Sequence, residues 1–312
     1  MENNFEKVQE LLRQKADLQT RLGLIPYDGA PEVKENQSGK YIYIRKRELG
    51  KLSSQYVDKF SEVLFQTLLR DTKEARALKR AIKQLEKQLA LLGYRAGELS
   101  PRVELNLDFA KINLKANIYD QAILEGVATT FPQTETIIDN GEVVGMKASD
   151  VQKILNLKHA WNFILDKDVL QERSSFFVLS YVAKIVNEGF FQDGGRIRAV
   201  PVFIGGSSYV PTLPFESVVK EELENIVNQP TAPIDKAIDL CLYCMKKQIF
   251  NDGNKRAAVI FANHFMIANG EGLLAIDEQN VAQFKRMLIE FYEGKDCEKI
   301  KEFLKEKCWR KF

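Results

Sequence analysis

The run Asn251-Asp252-Gly253-Asn254-Lys255-Arg256 places an amide, a carboxylate, a glycine, a second amide and two cations in consecutive positions. Apolar residues at helical spacing lie before it (Ile234, Ile238, Cys241, Met245) and after it (Ala258, Phe261, Ala262, Phe265). The polar run therefore reads as a loop opening onto a helix N-terminus. Such an N-terminus presents unpaired backbone N–H groups and a partial positive charge, which is the chemistry of a phosphate site. Acidic side chains are the usual residents of a first helical turn. Lys255 and Arg256 make electrostatic sense there when an anion binds. Asp252 has the chemistry to hold Mg²⁺, whose usual ligands are one or two carboxylates plus phosphate oxygens. The same residues also fit a plain Asp-Gly turn between helices, and residue chemistry alone leaves both readings open.

Other chemistries are poorly supplied. Histidine occurs only at His159 and His264, which removes most histidine-based metal and triad chemistry. Cys241 and Cys244 form a C-x-x-C pair, but Cys297 and Cys308 are too far apart to complete a zinc site. The first pair also falls within a helical apolar pattern, so all four are expected to be buried free thiols, in a reducing compartment. The chain has 312 residues, 45% of them hydrophobic, enough for one large domain or a domain with an appendage. No apolar run approaches a bilayer span, and the start lacks the signature of a signal peptide. These features point to a soluble cytoplasmic protein without a membrane partner. The net charge is +2, so the whole chain demands no polyanion.

The elements that must position the polar run are mostly helices. Phe5, Val8, Leu11, Leu18 and Leu22 mark an amphipathic helix over residues 5–22, followed by a turn-rich loop at 27–39 and a short strand at 41–44. A long helix is expected from about 53 to 92, capped by Ser53 or Ser54. Its Ala75, Leu78, Ile82, Leu85, Leu89 and Leu92 form a short heptad seam, suited to a hairpin with residues 5–22 or to a homodimer. Residues 40–95 hold fourteen Lys/Arg against six Asp/Glu. With aromatics on the apolar face of such a helix, a solvated face is expected rather than a nucleic-acid surface. Gly93 and the Gly97–Pro101 stretch end this region, giving an N-terminal helical part over 1–100 and a second domain over 104–312. Period-3.6 patterns are read at 107–125, 149–165, 168–188, 214–227, 233–248, 254–269, 277–292 and 295–308. Alternation around Gly205-Gly206 predicts one β-hairpin at 199–212. The fold class is thus mainly α with a single hairpin.

The stretch Gln248-Ile249-Phe250-Asn251-Asp252-Gly253-Asn254-Lys255-Arg256 resembles the Fic/Doc family motif H-x-F-x-[DE]-[GA]-N-[GK]-R. Gly195–Arg198 followed by Val202–Ser207 is similar to the family's flap and its approach. Ala122-Ile123-Leu124-Glu125-Gly126 is similar to its inhibitory motif [ST]-x-x-x-E-[GN]. The resemblance implies a helical domain that binds ATP and transfers AMP, or another phosphate-containing group, to a target-protein hydroxyl. It implies that Asp252 binds Mg²⁺, and that Gly253, Asn254, Lys255 and Arg256 cradle phosphates. It also implies that Phe250 fixes the loop, that Glu125 inhibits, and that a flap of Ile204, Gly205, Gly206, Ser207 and Tyr209 aligns a target by strand addition.

Two positions depart from the family pattern. Gln248 stands where the family has its general-base histidine, and an amide cannot take a proton near neutrality. Its spacing from Met245 predicts that it points into the site. His264 lies ten residues along the following helix, roughly 15 Å away, too far to substitute. Val259 stands where many members carry a second Arg, which leaves Glu125 either to pair with Arg256 or to cap a helix end, and Gln121 replaces the Ser/Thr of the inhibitory motif. Three functions remain open: a weak or atypical transferase of the adenylyltransferase kind, a nucleotide-sensing or target-binding pseudoenzyme with a signalling role, and a nucleic-acid-associated regulator acting through residues 40–95.

Overall fold

The computed structural model describes residues 2–27, 29–48, 51–95, 97–140, 145–295 and 297–312. They form two compact units that divide after Arg95.

The first unit holds α1 (Glu2–Leu24), an antiparallel meander of β1 (Ala30–Asn36), β2 (Gly39–Glu48) and β3 (Lys51–Lys59), and α2 (Glu62–Leu91). Leu11 and Leu12 of α1 pack on Leu89 of α2, with Val8, Leu85 and Leu92 around them. Ile42 and Ile44 of β2 pack on Leu68 of α2. The expected seam is present, with Ala75, Leu78, Ile82 and Leu89 buried. Two expectations are corrected. Residues 30–36 are a strand and not loop, and residues 51–59 are a strand and not the start of the long helix. Ser53 and Ser54 lie within β3 and cap nothing; the helix begins after Ser61, whose backbone is extended. The polar sequence of β3 hides its alternation, because this edge strand faces solvent along most of its length.

The second unit is helical. It runs through α3 (Pro101–Ile112), α4 (Leu114–Leu124), α5 (Phe131–Asn140), α6 (Ala148–Ile164), α7 (Lys167–Leu170) and α8 (Phe176–Val186). It continues through α9 (Glu216–Asn228), α10 (Pro233–Lys247), α11 (Asn254–Ala268), β4 (Leu273–Leu274), α12 (Glu278–Tyr292), α13 (Cys297–Phe303) and β5 (Trp309–Arg310). The centre is α11, where every residue from Arg256 to Ile267 is buried; a helix apolar on all sides must be enclosed by others. Its Asn263 and His264 side chains are hydrogen-bonded within the fold. Asn263 exchanges hydrogen bonds with both main-chain groups of Leu274, at 2.8 and 2.9 Å, which fixes β4 against the helix. Antiparallel pairing of β4 with β5 brings the C-terminal end back, and Arg310 reaches Asp120 of α4 at 2.7 Å.

The predicted hairpin at 199–212 is also corrected. None of its residues is in a ladder; the segment is extended, with one turn closed by the Ser207 N–H donating to the Ile204 carbonyl at 3.2 Å. Pro201 and Pro211, one in each arm, cannot donate to a ladder. Cys241, Cys244 and Cys308 are buried free thiols, whereas Cys297 is exposed. Among the described residues, no helix is long and apolar enough to cross a membrane.

Candidate functional site

The polar run sits where α10 turns back into α11. Gln248 reverses the chain with φ 49°, the one positive φ among described non-glycine residues. A non-glycine residue holds this conformation only when its surroundings fix it. Here the Gln248 amide donates to the Met245 carbonyl at 2.6 Å, and its Oε1 accepts from Asn254 Nδ2 at 3.1 Å. The side chain is therefore folded back onto the loop, against Asn254. Asn254 also grips Phe250 from both sides. Its Oδ1 accepts from the Phe250 N–H at 2.9 Å and its Nδ2 donates to the Phe250 carbonyl at 2.8 Å. Phe250 is buried, as the resemblance implied.

Asn187, just past α8, locks the other side of the loop. Its Nδ2 donates to the Asp252 carbonyl at 2.9 Å and to the Gly194 carbonyl at 3.1 Å. Gly253 has φ 72°, and a Cβ there would lie 2.7 Å from Asn187 Oδ1. Only glycine meets both conditions.

Arg256 is buried in the first turn of α11. Its Nη1 donates to the Val186 carbonyl at the end of α8 at 2.8 Å, and its Nη2 pairs with Asp252 Oδ2 at 2.8 Å. Its Nε has no hydrogen-bond partner and lies 3.6 Å from Glu125 Oε2. Glu125, at the end of α4, is equally under-used: Oε1 is buried without a hydrogen bond and 3.6 Å from Lys255 Nζ. A carboxylate thus stands between two cations at ion-pair range, short of hydrogen-bond range. Lys285 of α12 is partly buried. Burial, with Lys255 adding to it, holds the Lys285 ammonium below the usual lysine range, while Glu125 opposes this. Gln121 of α4 fixes the arrangement by donating to the Arg256 carbonyl at 2.7 Å and accepting from Trp161 Nε1 at 2.9 Å.

The flap residues Ile204, Gly205, Gly206, Ser207 and Tyr209 lie against the end of α12. Tyr209 stacks on Tyr292 with centroids 6.4 Å apart, and the Ser208 N–H donates to Glu293 Oε1 at 3.3 Å. Burial pushes the Tyr292 hydroxyl up, with Glu125 among the smaller causes. Arg198, fully buried, ties the flap to the loop. It donates to the Gln248 carbonyl at 2.5 Å, to the Val200 carbonyl at 2.8 Å and to the Thr212 carbonyl at 2.6 Å.

The structure thus brings together Asp252, Lys255, Arg256 and Glu125, and separately couples Gln248 with Asn254. His264 is enclosed between Ser174 Oγ at 2.8 Å and the Val169 carbonyl at 2.9 Å, and burial depresses it to about 4. His159 lies 3.7 Å from Glu188. Sequence reasoning missed Lys285, Asn187 and the clamping role of Arg198. Lys285 directly follows Phe284 on the buried stripe of α12, a usable signal; Asn187 and Arg198 gave none before the elements were assembled. No cluster of three metal-ligating side chains occurs among the described residues. Asp252 is half exposed, with Oδ2 on Arg256, so it fits Mg²⁺ as a single carboxylate ligand to an ion that nucleotide oxygens also hold.

Residues 177–266 match the Fic/DOC family model, and residues 5–64 match a domain of unknown function, DUF6788. No curated protein matches the chain. Among solved structures, Fic-1 from C. elegans is similar at 19% identity and TM-score 0.51, covering 78% of this chain and 73% of that one. A variant of it gives 17% identity and TM-score 0.55, with coverage of 74% and 73%. A Fic family protein from Desulfovibrio desulfuricans G20 gives 15% and 0.52, with coverage of 68% and 74%. At these identities the likeness is one of fold.

Proposed function

Residues 177–266 form a Fic/DOC-family domain, and we propose that it binds the phosphates of an ATP-type nucleotide at the N-terminus of α11 and transfers AMP slowly to a target-protein hydroxyl. One observation carries this reading: Lys255 and Arg256 flank a single carboxylate whose Oε1, like the facing Arg256 Nε, is buried without a hydrogen bond. A buried polar atom left without a partner costs roughly 1–3 kcal/mol. A phosphate has more acceptor oxygens than a carboxylate and would satisfy these donors along with the N–H groups of the first turn. In this reading Glu125 occupies the anion's place and acts as an inhibitory latch. Asp252 would hold Mg²⁺ by its outer oxygen; the ion, when bound, neutralises phosphate charge.

The transfer would form a bond from the hydroxyl oxygen to the α-phosphorus and break the α–β bridge, with pyrophosphate leaving. The hydroxyl proton finds no base on Gln248 and passes to water or phosphate. Loss of a general base is typically worth 10²–10⁴-fold, yet loose phosphoryl transfer depends mostly on positioning and charge, so slow turnover is compatible with the site. The exposed flap, with Phe203 and Val210 outward, would take the target segment. A second reading, a binding module without turnover, is favoured by the Gln248 amide, whose nitrogen and oxygen are both already engaged.

Mass spectrometry after incubation with ATP, Mg²⁺ and lysate, for wild type and Gln248→His, tests both readings. Added mass on protein with wild type, increased in Gln248→His, supports the transferase. Labelling with the histidine variant alone supports the binding module. Labelling by neither sinks the transferase reading.

A further inference from the structure

The solvent side of the β1–β2–β3 sheet carries chemistry that the Fic/DOC domain does not use. Alternation along β2 sends Ile42 and Ile44 into the core with Leu68, so Tyr41, Tyr43 and Arg45 face the other way. The register sets Lys34 opposite Tyr41, Glu32 and Tyr56 opposite Tyr43, and Ser54 opposite Arg45. Opposed residues share a face. Tyr56 meets Tyr41 at 6.2 Å and Tyr43 at 5.7 Å between ring centroids, and Lys34 Nζ lies 4.5 Å from the centre of Tyr43. Tyr56 is 50% exposed and Leu52, on the same strand face, 67%. Tyr56, which sequence spacing places in the long helix, is instead on a sheet beside Tyr41 and Tyr43 of the expected strand, interleaved with cations.

An exposed tyrosine cluster suits either a protein partner or unstacked bases, and charge decides between them. Glu32 is the one carboxylate bridging Lys34, at 3.0 Å, and Arg45, at 4.0 Å. Beside the start of β1, Lys73, Arg76 and Arg80 of α2 line a cavity of about 400 Å³ with Ala30 and Pro31. Residues 40–95 as a whole hold fourteen Lys/Arg against six Asp/Glu. Duplex bases are stacked within the helix and unavailable to such rings, whereas a single strand offers both faces and phosphates. We propose that this face binds single-stranded nucleic acid, with bases stacked on Tyr41, Tyr43 and Tyr56, phosphates met by Lys34 and Arg45, and the strand led on toward the basic row of α2. This surface does not depend on the nucleotide reading of the Fic/DOC domain.

The test is fluorescence anisotropy of the full chain with labelled 20-nucleotide oligo(dT) and oligo(U), and a duplex of equal length, across a salt series. Saturable binding of a single strand in preference to duplex is expected, and whichever of oligo(dT) and oligo(U) binds tighter identifies the source. The slope of log K against log salt should be at least about −1.4, the value for two phosphate contacts at roughly −0.7 each. Tyr56→Ala should weaken binding about tenfold, Tyr56→Phe should leave it intact because the ring remains, and Glu32→Gln should tighten it several-fold. Thermal melts show whether each variant is folded; should Tyr56→Ala unfold, Glu32→Gln and the salt slope still decide. Absence of saturable binding, preference for duplex, or binding unchanged by both Tyr56→Ala and Glu32→Gln overturns the proposal.

Discussion

Two groups of side chains around residues 248–256 are built on opposite principles. In the first, the amides of Gln248, Asn254 and Asn187 bond to main-chain carbonyl and N–H groups, and Gln248 and Asn254 bond to each other. In the second, Glu125 faces Lys255 and Arg256 as charges, with no hydrogen bond at Glu125 Oε1 or Arg256 Nε. One group is closed on itself, and the other leaves two buried polar atoms without hydrogen bonds. Arg256 belongs to both, since its Nη atoms serve the scaffold and its Nε serves the anion side. A motif read as a uniform phosphate cradle is therefore two devices, and substitutions should separate them.

The largest effect is expected from Arg256→Ala. It strips the Val186 carbonyl and Asp252 of a buried partner and leaves Glu125 with less counter-charge, at a cost of about 3–5 kcal/mol. Denaturant unfolding measures this, and a loss under 1 kcal/mol would mean that Arg256 is held only loosely. Asn254→Ala should cost about 2 kcal/mol, because the Phe250 N–H and carbonyl lose their side-chain partners. Gly253→Ala should fall in a similar range, through a forced positive φ and the approach to Asn187. Lys285→Ala should lower nucleotide affinity several-fold while leaving the melting temperature near wild type. The pH dependence sharpens this. Lys285 is held below the usual lysine range, so it loses its charge at lower pH than an ordinary lysine, and phosphate affinity falls as pH rises through that value. Lys285→Arg keeps its charge at every accessible pH, and should abolish that alkaline fall in a calorimetric titration.

Much of the second unit was legible because enclosed helices carry apolar residues at regular spacing. The stretch at 168–188 was read as one helix, although Ser174 and Ser175 separate α7 from α8. In the first unit only β2 is legible, through residues 41–44; β1 and β3 are not, because a small sheet with one open face carries polar residues there, and Lys51–Lys59 lacks a clean alternation. Residues 199–212 alternate well but have two prolines where a ladder needs N–H groups, so pattern and backbone chemistry disagree and the backbone decides. At the site, the residues from Asp252 to Arg256 and Glu125 could be named from sequence, but not their division of labour. That division depends on Asn187, Gln121 and Arg198, each distant along the chain and each acting through hydrogen bonds to main-chain groups.

The central claim is that Glu125 stands where a nucleotide phosphate binds. Calorimetric titration of ATP with Mg²⁺ into the wild-type chain and into Glu125→Gln addresses it most directly. Glu125→Gln should bind on the order of tenfold more tightly, a difference of about 1.4 kcal/mol, with both proteins equally folded. Equal affinities, or no binding by either protein, would contradict the claim.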